Sequence, residues 1–231
     1  MKISIHQTTF LPYLGTWAKI AESDVFIIET NYIFSTTSFY YRTHVTNKKG
    51  ELEYLTMPVT REPVSLIETQ LKDIAEAEKR IRKALSYYKD APYYFDVMTK
   101  MEAFFKFQLP KCKTLHDVNM DLFYWVYEWL DLKTKIIEVK PGDIEESTDD
   151  TKTTRLIKKI IKYGKEPLVY ISGGGGRDYL DIKEMNESNI DVVFQTSIND
   201  FYKGSILHYM MHYTPQETFE IISKSFSYLD K

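Results

Sequence analysis

An α/β fold, with one mixed sheet formed by the N- and C-terminal thirds and a helical middle packed as a subdomain, is what this sequence predicts. Three observations carry that expectation. Short runs rich in β-branched residues alternate with amphipathic stretches near both ends of the chain. Residues 71–132 instead repeat apolar positions at helical spacing. Both terminal thirds also end strands in polar loops, and such loops converge on one site only if their strands share a sheet.

Taken in order, Ile3, Ser4 and Ile5 form a strand candidate that ends in His6 and Gln7. A Phe10-x-Pro12-Tyr13-x-Gly15 turn leads to an amphipathic run from Trp17 to Ala21, then to a second strand over Val25–Ile28. Asn47 to Gly50 reads as a turn, so Tyr40–Val45 and Leu52–Val59 pair as a hairpin, and Ser65–Gln70 is a further short strand. In the middle, Ile74, Ala77, Ile81, Ala84, Leu85 and Tyr88 share one helical face. Pro92 opens a second helix whose apolar stripe runs from Asp96 to Phe107. Leu115–Leu130 is a third, with Thr114 as its N-cap and Phe123, Tyr124, Trp125, Tyr127 and Trp129 assigned to the core.

Residues 141–154 turn polar and acidic, which suggests a surface connection and a hinge between halves, with Asp149 and Asp150 in a solvated turn rather than on a metal. A helix over Thr154–Tyr163 then precedes a strand at Leu168–Ile171, a run of four glycines, a helix over Asp178–Glu187, a strand at Val192–Gln195 and a closing helix from Pro215 to Leu229. With no internal repeat, the chain reads as a single domain over 1–231, with parts at 1–70, 71–132 and 133–231.

Composition narrows the function classes. A formal net charge of −3 over 231 residues gives no electrostatic basis for non-specific nucleic-acid binding, so that partner is disfavoured. The single cysteine, Cys112, excludes an intrachain disulfide and a thiolate zinc cage, and fits a reducing, cytoplasmic setting. No apolar run is long enough to span a bilayer and no signal-peptide pattern opens the chain, so membrane insertion is not expected. The aromatic share of 15% suits either a large core or a pocket for a sugar or base.

Several residues could carry chemistry. His6 and Gln7 stand where a strand hands over to a loop, the usual place for polar groups to meet a ligand in α/β proteins. Ser172, Gly173, Gly174, Gly175 and Gly176, followed by Arg177, could form a backbone nest for a phosphate or carboxylate, or simply a flexible turn; neither the P-loop nor the dinucleotide fingerprint is present. His208 and His212, at i and i+4, are weak metal candidates that lack an assignable third ligand, so no cofactor is specified. Cys112 lies in no recognisable nucleophile signature.

Together these segments resemble the WbqC-like protein family over nearly the whole length. The resemblance rests on "HQTTFLPYLGTWAKIAESDVFII", "SFYYRTHV", "LTMPV", "YYKDAPYYF", "LHDVN", "TTRLIKKI", "YISGGGGRDYLD", "VVFQ" and "SILHYMMHYTPQETFEII". It implies a transferase-like enzyme of surface-polysaccharide or O-antigen synthesis, acting on a small molecule such as a nucleotide-linked amino sugar. Carried over by position, it implies site roles for His6, Gln7, Arg42, Ser172, Gly173, Tyr179 and Gln195, with Pro12, Gly15 and Asp24 as further family positions. In this reading His6 is the general acid or base, Arg42 or Arg177 the counter-charge, and Gln7, Gln195 and Tyr179 orient substrate. The chain departs from the family pattern at Thr30, Ile33, Tyr41, Thr43, His44 and His208, which alters the polar groups offered to substrate. Two alternatives stand beside it: an enzyme modifying a nucleotide or nucleic-acid base, and a non-catalytic binding or scaffold member.

Overall fold

The computed structural model describes residues 1–198 and 201–229. Its centre is a six-stranded sheet in the order β5-β2-β1-β6-β7-β8. The strands are β1 (Lys2–Gln7), β2 (Val25–Glu29), β5 (Lys135–Val139), β6 (Leu168–Ser172), β7 (Ile190–Ser197) and β8 (Phe226–Leu229), all parallel except the β7–β8 pair. From β1 the chain winds outward through β2 to β5, then crosses back to place β6 and β7 on the other side of β1. The winding therefore reverses between β1 and β6, the place where open α/β sheets usually present a crevice at the carboxyl ends of their strands.

Strand periodicity gives the sheet two cores. Ile3 and Ile5 of β1 and Val25 and Ile27 of β2 pack with Leu156, Ile157 and Ile160 of α5 (Lys152–Tyr163) and Met185 of α6 (Ile182–Glu187). Phe26 and Ile28 point the other way, into a larger core with Leu14 and Trp17 of α1 (Leu14–Glu22) and the helical middle. That middle comprises α2 (Ile74–Leu85), α3 (Tyr94–Ala103) and α4 (Leu115–Trp129). Phe123 of α4 lies between Trp17, with centroids 5.1 Å apart, and Phe26, at 6.3 Å, and so joins the middle to the sheet. Thr114 caps α4 in a reciprocal box with Asp117. The hairpin of β3 (Arg42–Thr46) and β4 (Leu52–Thr56) is a separate two-stranded sheet.

Four expectations need correction. Ser65–Gln70 forms a 3₁₀ turn at Leu66–Glu68 inside a Ser65–Glu68 capping box, and only isolated bridges, Ile33 with Ser65 and Gln70 with Thr114, take the place of the expected strand. The helix expected from Asp178 begins only at Ile182, where Asp181 caps it. The closing helix α8 (Pro215–Ser225) stops short, and Phe226 onward becomes β8, which covers the edge that β7 would otherwise expose. The acidic connection is not a loose hinge. Asp150 accepts from Lys158 at 2.6 Å and from the Ser147 amide at 2.8 Å, while Glu146 pairs with Lys159 at 2.9 Å. Of the α4 aromatics, Phe123 is buried, Trp125, Tyr127 and Trp129 pack partly buried against the same core, and Tyr124 is exposed. The run Ile206–His212 is helical and is α7.

Candidate functional site

A cleft of about 590 Å³ lies at the carboxyl ends of β1 and β2, on the face covered by α5. Glu29 continues the Val25–Ile27 alternation and so meets α5 with its carboxylate. Lys152, Arg155 and Lys159, at i, i+3 and i+7, run along one edge of α5 and line the same cleft, opposite Gln7, Tyr32 and Tyr179. Lys159 Nζ stands 2.6 Å from Glu29 Oε2 and 2.9 Å from Glu146 Oε1, and both Lys159 (6% exposed) and Glu29 (2%) are buried. Burial pulls the Lys159 ammonium down, but hydrogen bonds to the two carboxylates outweigh it and raise it above its ordinary value. Arg155 Nε is 3.6 Å from Glu146, and this nitrogen is shut off from solvent without a hydrogen-bond partner. Three cations thus face two carboxylates that are already engaged. Burial raises the Tyr32 and Tyr179 hydroxyls, which stay protonated and offer both a donor and an acceptor.

His6 and Gln7 do not form one site. Successive strand residues face opposite sides of a sheet, and His6 turns with Ser4 toward α1 while Gln7 reaches the cleft. His6 Nδ1 lies 2.8 Å from the Gln7 carbonyl, which fits the neutral tautomer that donates from Nδ1. Burial, with the nearby Lys19 charge, pushes the imidazole down to about 3, although hydrogen bonding to Gln7 opposes this. The unfolded chain therefore takes up this proton first, near pH 6.5, and the stability that the neutral ring confers is lost as pH falls from there toward 3. Between pH 6.5 and 5 that loss is up to about 2 kcal/mol. Urea midpoints at pH 7 and pH 5 should therefore differ less in His6→Gln than in the wild type, and an unchanged difference would exclude this titration.

The loop after β1 is held in a strained form. Leu11 has φ 45°, a left-handed value costly for leucine, and its carbonyl accepts hydroxyl hydrogen bonds from Thr43 and Ser205, each at 3.1 Å. Arg42 sits on the hairpin, with its guanidinium 4.4 Å from the Tyr54 ring centroid and Nη2 donating to the Thr37 carbonyl. It does not line the cleft, so the counter-charge there comes from α5. Ser172 is buried and its hydroxyl donates to the Gly173 carbonyl.

The glycine run is a 3₁₀ turn over Gly174–Asp178, with no positive φ in it. Gly176 is required by packing, because a Cβ there would stand 1.9 Å from Ser172 Oγ. The helix expected directly behind the glycines starts only at Ile182, so its positive end does not add to the turn. Arg177 is exposed over the Phe194 ring at 4.4 Å. Gln195 donates to the Gly15 carbonyl at 2.8 Å, and Tyr228 donates to the Ala18 carbonyl at 2.8 Å, so this pair fastens β7 and β8 to α1 instead of facing a ligand.

The His208 and His212 rings lie 4.5 Å apart, with Tyr202 stacked on His208 at 3.9 Å. No third histidine, cysteine or carboxylate joins them into a metal-holding group among the described residues, and burial with the His212 charge lowers His208 to about 4. Cys112 is buried, and burial with the Asp121 charge pushes its thiol up to about 12, which argues against a nucleophilic role. Trp125 and Trp129 line a second cleft, of about 450 Å³, with Tyr93 of the α2–α3 connection and Tyr213 after α7.

Of the residues singled out in the sequence, the structure brings Gln7 and Tyr179 to the main cleft. Glu29, Tyr32, Arg155 and Lys159 join them without having been singled out. Their sequence signals were a carboxylate closing the apolar run "VFIIE" and the cationic row along one edge of α5.

Among curated proteins and solved structures, none matches this chain. The model of one family, described as the WbqC-like protein family, matches residues 7–218 and so takes in the β1 loop, the α5 row and the glycine turn. With a match over that span, the chain belongs to the WbqC-like protein family.

Proposed function

We propose that the cleft between α5 and the ends of β1 and β2 binds a nucleotide-linked sugar, and that the protein acts as a transferase in making or modifying a surface polysaccharide. The observation that carries this reading is Arg155 beside Lys152: its Nε is shut off from solvent without a hydrogen bond, and its ion-pair partner Glu146, 3.6 Å away, is already held by Lys159. Such a site lacks an anion. Its volume is in the range of small-ligand pockets, and Tyr32 and Tyr179 offer ring faces beside the Gln7 and Asn31 carboxamides, a combination suited to a hydroxylated ring. The glycan setting is what the resemblance implies, and membership of the WbqC-like family is consistent with it.

A specific feature favours a second reading, a binding member without catalysis. Glu29 and Glu146 are held by Lys159, and His6 faces the other side of the sheet, so neither carboxylate nor imidazole stands free as a general base in this cleft.

Thermal unfolding across a panel of nucleoside diphosphate sugars at fixed ionic strength tests the proposal. At least one should raise Tm, and Arg155→Gln should weaken that ligand by roughly tenfold or more through loss of a charge-assisted contact. Release of nucleoside diphosphate in the presence of an acceptor separates transfer from binding. A panel without any shift contradicts the nucleotide-sugar reading.

A further inference from the structure

Two lysines are buried among the described residues, and they are treated in opposite ways. Lys159 is held by two carboxylates. Lys19 of α1 is 5% exposed, yet its ammonium meets no carboxylate and no hydrogen-bond acceptor among the described residues. The stem of Lys19 is buried, but its Nζ is not among the polar atoms shut off from solvent, so the ammonium emerges at the end of a fixed stem and stays open to an anion from outside the chain.

The position of Lys19 indicates where that anion would sit. The lysine charge acts on His6, at the end of β1. Its Nζ also lies 3.8 Å from where a Cβ of Gly173 would stand, just past the end of β6. Lys19 therefore reaches the point between β1 and β6 where the winding of the sheet reverses. The glycine turn begins there. Gly174 and Gly175 open it, so their amides have no carbonyl partner within the turn; the space beside Gly175 is free, while a Cβ on Gly174 would stand 3.8 Å from the Gln195 carbonyl oxygen. The turn ends at Tyr179, which lines the cleft. A single ligand can thus touch Lys19 at one end of the turn and Tyr179 at the other.

We propose that Lys19 and the Gly173–Gly175 turn form an oxyanion subsite that holds a phosphoryl group of the bound ligand. The nucleotide-sugar reading supplies the rest of that ligand, but the subsite itself needs only the anion. His6 is neutral and brings no competing charge to it.

Calorimetric titration with inorganic pyrophosphate at constant ionic strength tests the subsite without the sugar. Wild type should bind, Lys19→Met should bind roughly ten- to a hundredfold more weakly, and Lys133→Gln, which removes an exposed charge just before β5 at the opposite ends of the strands, should bind as wild type does. Unliganded Lys19→Met should also melt no lower than wild type, because it keeps an apolar stem of similar length and removes no ion pair within the chain. Equal binding by Lys19→Met, or no binding by wild type, overturns the proposal. So does a markedly lower Tm for unliganded Lys19→Met, which would give Lys19 a structural role. Pyrophosphate binding that Arg155→Gln abolishes and Lys19→Met leaves intact would place the anion in the cleft, ending the subsite but not the cleft reading.

Discussion

Lys159→Met is expected to lower the unfolding free energy by about 3–5 kcal/mol, the usual cost of breaking a buried ion pair by removing one partner. The reason is what the substitution leaves behind. Glu29 is nearly inaccessible to water, and without Lys159 its carboxylate stays buried with only the Asn31 amide, at 3.3 Å, as a donor. Glu146 loses its closest cation at the same time. Urea denaturation at pH 7 reads the loss directly. Adding Glu29→Gln to Lys159→Met should recover part of it, because the second change removes the stranded charge. A loss under about 1 kcal/mol would mean that water reaches the network and that the pair behaves like a surface salt bridge.

Trp17→Ala is expected to cost about 3–5 kcal/mol, as truncating a fully buried large aromatic does. Trp17 is 0% exposed and stacks on Phe123, so it stands where α1, the sheet and the helical middle meet. One continuous core runs from Phe26 through Trp17 and Phe123 to Leu85 and Val97. Tryptophan fluorescence and far-ultraviolet circular dichroism should therefore report one unfolding transition in the wild type, and the same single transition at lower urea in a variant followed by circular dichroism. Two separated transitions would show that the helical middle unfolds by itself.

Where periodicity was long and regular, the sequence alone was legible. The face Ile74, Ala77, Ile81 and Leu85 became α2, and Thr114 capped α4 as its spacing with Asp117 required. The single mixed sheet also followed, because strand-to-loop handovers in both terminal thirds converge at one edge. The chain was less legible where tertiary pairing decides. Residues 226–229 are strand only because β7 needs a partner, and Ser65–Gln70 is a turn only because local capping outcompetes a ladder.

The site was half visible for a related reason. Gln7 and Tyr179 stand at loop positions that sequence can mark, whereas Glu29, Arg155 and Lys159 belong to one cleft only once α5 packs across β2. His6 and Gln7 both stand at the strand end, but a strand sends neighbours to opposite faces, and of the two Gln7 lines the cleft. Gln195 has the right residue type at the end of a strand, but Gly15 and Tyr228 occupy its amide.

The most direct test of the cleft as the ligand site is a crystal structure of the protein with whichever nucleoside diphosphate sugar raises its Tm. The account predicts an anionic group of that ligand within hydrogen-bond reach of Arg155 or Lys152, with its ring against Tyr179. A ligand seated between Trp125 and Trp129 in the second cleft, with Arg155 untouched, would contradict it.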